Sequence, residues 1–354
     1  MLENLHLNTS EALEQHLEKL TLEVVERQYA LQPDLIQRFG EIGRVRTIED
    51  VRYHLQYLSE TIRVDSLRLF GEYIAWAKIV LVRLGVPVDD LIINLNIIQD
   101  VLEANLTPEQ AVLTKTYLDE AKARLRTPLE VPSSCIVPED LPHGELAHHY
   151  LDALLKGNRH SASTLILNAV QQGYSIKDLY LYVFRPSQYE VGRLWQMNKI
   201  SVAQEHFCTA ATQMIMSQLY PYLFTTRRER CSIVGTSVSG ELHEIGIRMV
   251  MDFFELEGWN TFYLGANTPT PSLLRTLRER EADVLAVSAT MTFHLSQVSK
   301  VIQAVREADD LSHVKILVGG LPFIVEPSLW QRIGADGSAS NPGEAVAQAN
   351  RWVE

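Results

Sequence analysis

Ser232-Ile233-Val234-Gly235-Thr236-Ser237, followed by Val238-Ser239-Gly240-Glu241-Leu242-His243-Glu244-Ile245-Gly246, decides the fold of the C-terminal part of this chain. A β-rich run, a glycine-containing turn and the opening of an amphipathic stretch make one strand-to-helix unit. The alternation then repeats. Strands fit Thr261 to Leu264, Val284 to Ser288, Ile316 to Val318 and Gly337 to Ser340, and helices fit the segments after Glu241, Pro271, Phe293, Pro322 and Gly343. Five such units in series predict a parallel, doubly wound sheet of flavodoxin-like (Rossmann-type) kind over 230–354.

Upstream the period changes. From Gly144 to Phe224 apolar positions recur at helical spacing, punctuated at Gly157-Asn158, Gly173, Pro186 and Asn198-Lys199, which predicts a four-helix bundle over 144–226. The charged run Arg227-Arg228-Glu229-Arg230 separates bundle from sheet. Pro128, Pro132, Pro138 and Pro142 with Ser133 and Ser134 mark 127–143 as a linker. Residues 1–126 hold few Gly or Pro and space Leu67, Phe70, Tyr73, Ile74, Ala77 and Ile79 at three and four residues, as an all-helical domain would. The fold class expected is therefore multidomain: all-α, then a four-helix bundle, then α/β.

The chain has 354 residues, 46% of them apolar, and a net charge of -12 from 32 Lys and Arg against 44 Asp and Glu. Such a surface repels a phosphate backbone, so direct DNA binding is not expected. Cys135, Cys208 and Cys231 are too scattered for a disulfide framework or a zinc site, which suits a reducing cytoplasm. Met1-Leu2-Glu3-Asn4 lacks the basic start of a signal peptide, and no apolar run approaches the roughly 18 residues of a membrane span. The expectation is a cytoplasmic protein with no membrane partner.

Ligands of a doubly wound sheet bind at the loops leaving the strands' carboxyl ends. The first loop offers an imidazole, His243, with a carboxylate two residues before it; Glu241 could fix the tautomer of His243 and raise its basicity toward a metal. A lone histidine in such a loop is more often structural. Ser288-Ala289-Thr290 after the third strand, Gly319-Gly320 after the fourth and Ser340-Asn341-Pro342-Gly343 after the fifth are small enough to leave a deep slot beside the sheet. This set resembles the cobalamin-binding domain of methionine synthase, the cobalamin mutases and corrinoid methyl carriers, with its Asp-x-His-x-x-Gly, Ser-x-Leu and Gly-Gly pattern. The resemblance implies that His243 is the lower cobalt ligand and that Glu241, Gly246, Ser288, Thr290, Gly319, Gly320 and Ser340 line the cofactor site. Glu241 stands where that family usually has Asp, and Thr290 where it has Leu.

In the bundle, Glu190-Val191-Gly192-Arg193-Leu194-Trp195 precedes Ser201-Val202-Ala203-Gln204-Glu205-His206, where Ser201 and Gln204 form a capping box that starts a new helix. By themselves these residues read more often as a core tryptophan and a solvated helix start than as a binding site. Together with Gly173 to Ala210 they are similar to the cap of CarH-type light-sensing regulators, which implies that Trp195, Glu205 and His206 surround the upper ligand of adenosylcobalamin. Gln196 stands where those regulators have a His that takes the vacated cobalt position after illumination.

Residues 1–126 lack a basic recognition helix and look like degenerate globin-like sensor domains; joined to a CarH-like unit they are similar to photocobilins. That likeness implies a bilin such as biliverdin on Tyr53, His54, Tyr57, Arg63, Tyr73 and Trp76, although aromatics at helical spacing serve equally as core, and dimerisation is the competing role. The reading is a cobalamin-dependent light sensor, forming a homodimer or higher oligomer, signalling to an unidentified partner and without turnover of its own. The alternative is a corrinoid methyl carrier of a methyltransferase system.

Overall fold

A computed structural model describes residues 2–223 and 231–353. The charged run Arg227-Arg228-Glu229-Arg230 and the end of the bundle expected at Phe224 to 226 lie outside the described residues. The chain divides into two compact units. One comprises Met1–Leu129 with Met291–Ser296 and Ile324–Ile333; the other comprises Glu130–Thr290, Gln297–Phe323 and Gly334–Glu354.

The first unit is helical: α1 (Leu2–Gln15), α2 (Leu17–Leu31), α3 (Leu35–Arg63), α4 (Leu67–Arg83), α5 (Val88–Asn105) and α6 (Pro108–Arg126). Thr107 and Gln110 cap α6 reciprocally, and Ser66 caps α4 by accepting from the Leu69 amide. Gly40, at φ 65°, breaks the helical path inside α3. Leu55, Leu58 and Ile62 of α3, Phe70 and Ile74 of α4, Leu95 and Ile98 of α5 and Leu118 of α6 build one core. Leu67, expected inside, is 40% exposed because it opens α4 on the solvent side.

The second unit joins bundle and sheet over a shared core. The bundle runs α7 (Gly144–Leu155), α8 (Arg159–Gln171), α9 (Ile176–Leu179), a π turn (Tyr180–Phe184), α10 (Arg185–Gln196), α11 (Val202–Gln218) and α12 (Tyr220–Leu223). Pro186, expected to punctuate, instead sits in the first turn of α10, where the π turn has already relaxed the bonding register and the missing N–H costs little. The proline-rich stretch is held rather than loose. Arg193 donates to the Pro132 carbonyl at 3.2 Å and Glu190 accepts from the Cys135 amide at 2.8 Å, with Ile136 buried.

The sheet alternates β1 (Ser232–Ser237), α13 (Ile245–Leu256), β2 (Asn260–Tyr263), α14 (Thr270–Glu279), β3 (Val284–Ser288), α15 (Leu295–Arg306), β4 (Lys315–Gly319), α16 (Leu321–Val325), α17 (Leu329–Arg332), β5 (Gly337–Ala339) and α18 (Pro342–Val353). All ladders among the described residues are parallel, in the order β2-β1-β3-β4-β5. Central β3 is buried along its length, as a strand covered on both faces must be. β2 starts one residue early because Asn260 pairs with Ser232. β5 stops before Ser340, whose amide turns to the Glu344 carboxylate. Pro327 splits the helix expected after Pro322 into α16 and α17. No helix among the described residues is long and apolar enough to cross a membrane.

In the first unit, His54 is fully buried and its Nδ1 meets the Tyr73 hydroxyl at 2.8 Å; burial pushes its pKa down to about 4. Between pH 6.5 and 4 the unfolded chain takes up this proton and the folded one does not, so acidification across that window removes stability, by about 3 kcal/mol once both limits are passed. Hydrogen-exchange protection of α3 and α4 should fall more steeply from pH 6.5 to 4.5 in the native protein than in His54→Gln; equal slopes would contradict the assignment.

Candidate functional site

β1 and β3 are adjacent, yet the chain leaves β1 for the β2 edge and leaves β3 for the β4 side. This is the switch point at which a doubly wound sheet opens a crevice. The loop after β1 turns tightly, with the Glu241 amide donating to the Val238 carbonyl at 3.0 Å and Gly240 at φ 85°. Glu241 is fully buried. Its Oε1 accepts from His243 Nδ1 at 2.5 Å and from the His243 amide at 3.0 Å, and its Oε2 accepts from the Thr290 amide at 2.8 Å. One carboxylate thus spans the crevice from the β1 loop to the β3 loop.

The consequence for His243 is chemical. Glu241 holds the proton on Nδ1, which would leave the Nε2 lone pair to serve as a metal donor, on a side chain that is 59% exposed. The Glu241 hydrogen bond raises the imidazole pKa above its usual value; burial opposes this, and the charges of Glu241 and Glu205 add to it. Glu205, in the first turn of α11, belongs to the bundle, and its charge acts on the His243 imidazole.

Ser201 and Gln204 make the expected capping box at the start of α11. Glu205 accepts from Thr209 Oγ1 at 2.9 Å and pairs with Nδ1 of His206, whose ring is otherwise 75% exposed. Trp195 is half-buried at the end of α10, and Gln196 after it is buried in the bundle. Polar contacts fix bundle to sheet: Glu244 accepts from Gln213 at 2.8 Å and from Tyr263 at 2.9 Å, Arg248 donates to the Gln213 carbonyl and to Ser217, and Tyr180 donates to Asp252 at 2.7 Å. Burial pushes the Asp252 carboxyl up to about 6, opposed by the Tyr180 hydrogen bond.

The slot residues fall where small side chains are required. Ser288 is buried at the end of β3 and Gly319 ends β4. Gly320 lies at φ 109°, where an added methyl group would come within 2.0 Å of the Ala289 carbonyl oxygen. Gly246 opens into free space at the start of α13. Ser340 faces Glu344 at 2.7 Å. A buried carboxylate that orients an imidazole beside a strand end bearing glycines would suit a cobalt-bearing corrin, with His243 as the residue that would hold the metal.

The aromatic candidates of the first unit form a stack rather than a single pocket. Tyr57 and Tyr73 lie 3.6 Å apart at 8°, and Phe293 meets Tyr57 edge-on. His54, Tyr57 and Tyr73 are buried, while Tyr53 and Trp76 are 46% and 39% exposed at its margins. Arg63 is not brought to this stack; it pairs with Glu14 at 2.7 Å and lies 3.6 Å from Glu60. Sequence reasoning missed Phe293, Ser237 and Asn267. Ser237 donates to the His243 carbonyl at 3.1 Å, and Asn267 grips the β1 turn. Only Asn267 carried a legible signal, a residue tolerant of left-handed backbone just before Thr268-Pro269.

Two outcomes follow from this geometry. In Glu241→Gln the His243 pKa, read by NMR titration of the ligand-free protein, should fall toward the ordinary imidazole value; an unmoved titration would contradict the carboxylate's role. Gly320→Ala should lower unfolding stability by about 1–3 kcal/mol through backbone strain and the close approach to Ala289; a native-like midpoint in denaturant would contradict it.

Residues 231–348 match the B12 binding domain family, 146–220 match a second family described as B12 binding domain, and 3–125 match the phycobilisome protein family. The chain is 30% identical over 170 residues to dimethylamine corrinoid protein 2 of Methanosarcina acetivorans, covering 46% of this chain and 76% of that protein. It is 35% identical over 122 residues to dimethylamine corrinoid protein 3 of the same organism, covering 34% of this chain and 56% of that relative, little more than half its length. The structure of the monomethylamine corrinoid protein of Methanosarcina barkeri superposes with a TM-score of 0.54 at 23% identity, over 59% of this chain and 99% of that one, a likeness of fold. With a cobalamin fold, an oriented imidazole at its switch point and these relatives, the chain belongs to the cobalamin-binding corrinoid proteins.

Proposed function

We propose that this chain is a corrinoid carrier, holding cobalamin between bundle and sheet and presenting its upper face to partner enzymes that donate and accept the carried group. The observation that carries the reading is the Glu241–His243 pair at the switch point of the sheet. The names of the relatives, dimethylamine corrinoid proteins, support the carrier over the light sensor that the cap residues suggested. Bound cobalamin would supply a reactive cobalt–carbon bond. His243 Nε2 would hold the cobalt from below, Glu241 would keep that imidazole aligned, and the strand ends at Ser288, Gly319 and Gly320 would receive the nucleotide tail. Trp195 and Glu205 would cover the opposite face, the indole excluding water and the carboxylate accepting from polar groups of an upper ligand. On this reading the chain has no turnover alone; partner enzymes supply the chemistry.

Light sensing is the second reading, favoured by one specific observation: residues 3–125 match the phycobilisome protein family, in a unit separate from the cobalamin modules. Under it the cofactor is adenosylcobalamin, the aromatic stack around Tyr57 and Tyr73 borders a bilin, and illumination changes a dimer or larger assembly that signals onward. Because Gln196 is buried and carries no imidazole, trapping of the lit state by that side chain is not part of either reading.

Calorimetric titration of the full chain with methylcobalamin and with adenosylcobalamin, followed by sedimentation velocity in darkness and under green light, separates them. A carrier binds methylcobalamin at least as tightly as the adenosyl form and keeps its sedimentation coefficient under illumination. Preference for adenosylcobalamin with a light-driven change in mass would contradict the carrier and support the sensor. His243→Ala should weaken binding of either form at least tenfold.

A further inference from the structure

The turn that carries Glu241 has a backbone donor that the turn itself cannot use. Val238 to Glu241 closes through the Glu241 amide and the Val238 carbonyl, and Gly240, at φ 85°, is its third residue. In a β-turn the amide of the third position points away from the closing bond. Here it donates to Oδ1 of Asn267 at 2.8 Å, and the Ser239 hydroxyl reaches the same oxygen at 3.4 Å.

Asn267 is itself left-handed, at φ 57°, a conformation that Asn adopts more readily than most side chains. Its loop, between β2 and α14, is anchored on the end of β1. The Ser237 amide donates to the Gly265 carbonyl at 3.1 Å, and Thr236 Oγ1 bonds the Thr268 hydroxyl at 2.7 Å. The support behind the turn is therefore fixed to the strand from which the turn departs. The turn in turn delivers Glu241, whose Oε1 holds the His243 ring at 2.5 Å.

We propose that Asn267 is a positioning residue for the cobalt ligand: by accepting from the Gly240 amide it fixes the Ser239–Gly240 turn, and through Glu241 it holds His243 at the angle that ligation needs. This rests on the cobalamin reading of His243. The Asn267 side chain bonds Ser239 and Gly240 and acts on His243 only through the turn.

Three variants of the full chain test it. Asn267→Gly keeps left-handed backbone freedom and removes the acceptor, Asn267→Asp keeps the acceptor, and His243→Ala removes the ligand. Two readouts apply: hydrogen exchange of the Gly240 amide in the ligand-free protein, and the absorption of bound methylcobalamin, which distinguishes nitrogen-ligated cobalt from cobalt without a lower nitrogen. Asn267→Gly should speed Gly240 exchange and lower the ligated-to-unligated ratio about fivefold, the effect of losing one hydrogen bond of about 1 kcal/mol. Asn267→Asp should behave as the native protein in both readouts. Native-like exchange and ligation in Asn267→Gly, or equal losses in the Gly and Asp variants, would overturn the proposal while leaving the His243 assignment intact. Full nitrogen ligation in His243→Ala by a nitrogen other than the cofactor's own base would instead overturn the assignment of His243 as the cobalt ligand, and the proposal with it.

Discussion

A carboxylate removed from water must be met by donors, and that requirement organises the site. Glu241 is fully buried, and leaving such a charge unpaired would cost several kcal/mol. It is offset by the His243 ring, the His243 amide and the Thr290 amide, which lie on two different loops. The imidazole is therefore oriented by the same interaction that closes the β1 loop onto the β3 loop. The extra methylene of Glu over Asp has a use here: one oxygen serves the His243 Nδ1 and backbone amide while the other crosses the crevice.

The rest of the second unit is arranged around that pair. Parallel β1 and β3, buried along nearly their whole length, set the floor, and Gly320 after β4 lets the backbone pass close to Ala289. The bundle shares its core with α13, the helix that follows His243, so bundle and α13 meet through Phe253 and Phe254 as well as through Arg248 and Asp252. The Tyr180–Asp252 bond starts from a π turn, a local widening of the helix of the kind often found beside functional sites.

Much of this was legible in the residues. The β-rich runs separated by glycine turns specified the sheet, and Ser201 with Gln204 specified the start of α11. Elements that depend on tertiary pairing were harder to place. The first residue of β2 is set by its ladder to Ser232, and the end of β5 by the Glu344 carboxylate. Pro327 was a breaker that the helical pattern after Pro322 concealed, and Pro186 was a breaker that the π turn absorbed. In the site, Glu241 and His243 were readable because they lie two residues apart. The turn at Asn267 left a trace in the residues, but its partner Gly240 and the bond from Ser237 to the His243 carbonyl did not, because loop closure sets them. In the first unit the helical spacing gave buried aromatics correctly but could not say that Phe293, far along the chain, would complete their stack.

On the proposed reading, His243 would offer Nε2 to cobalt. Electron paramagnetic resonance of the full chain loaded with cobalt(II) cobalamin tests this most directly, using protein grown with 14N-histidine or with 15N-histidine. Ligation by His243 predicts a lower-axial nitrogen splitting into three lines that becomes two on 15N-histidine labelling and disappears in His243→Ala. A splitting unchanged by the labelled histidine, arising from the cofactor's own base, would contradict it.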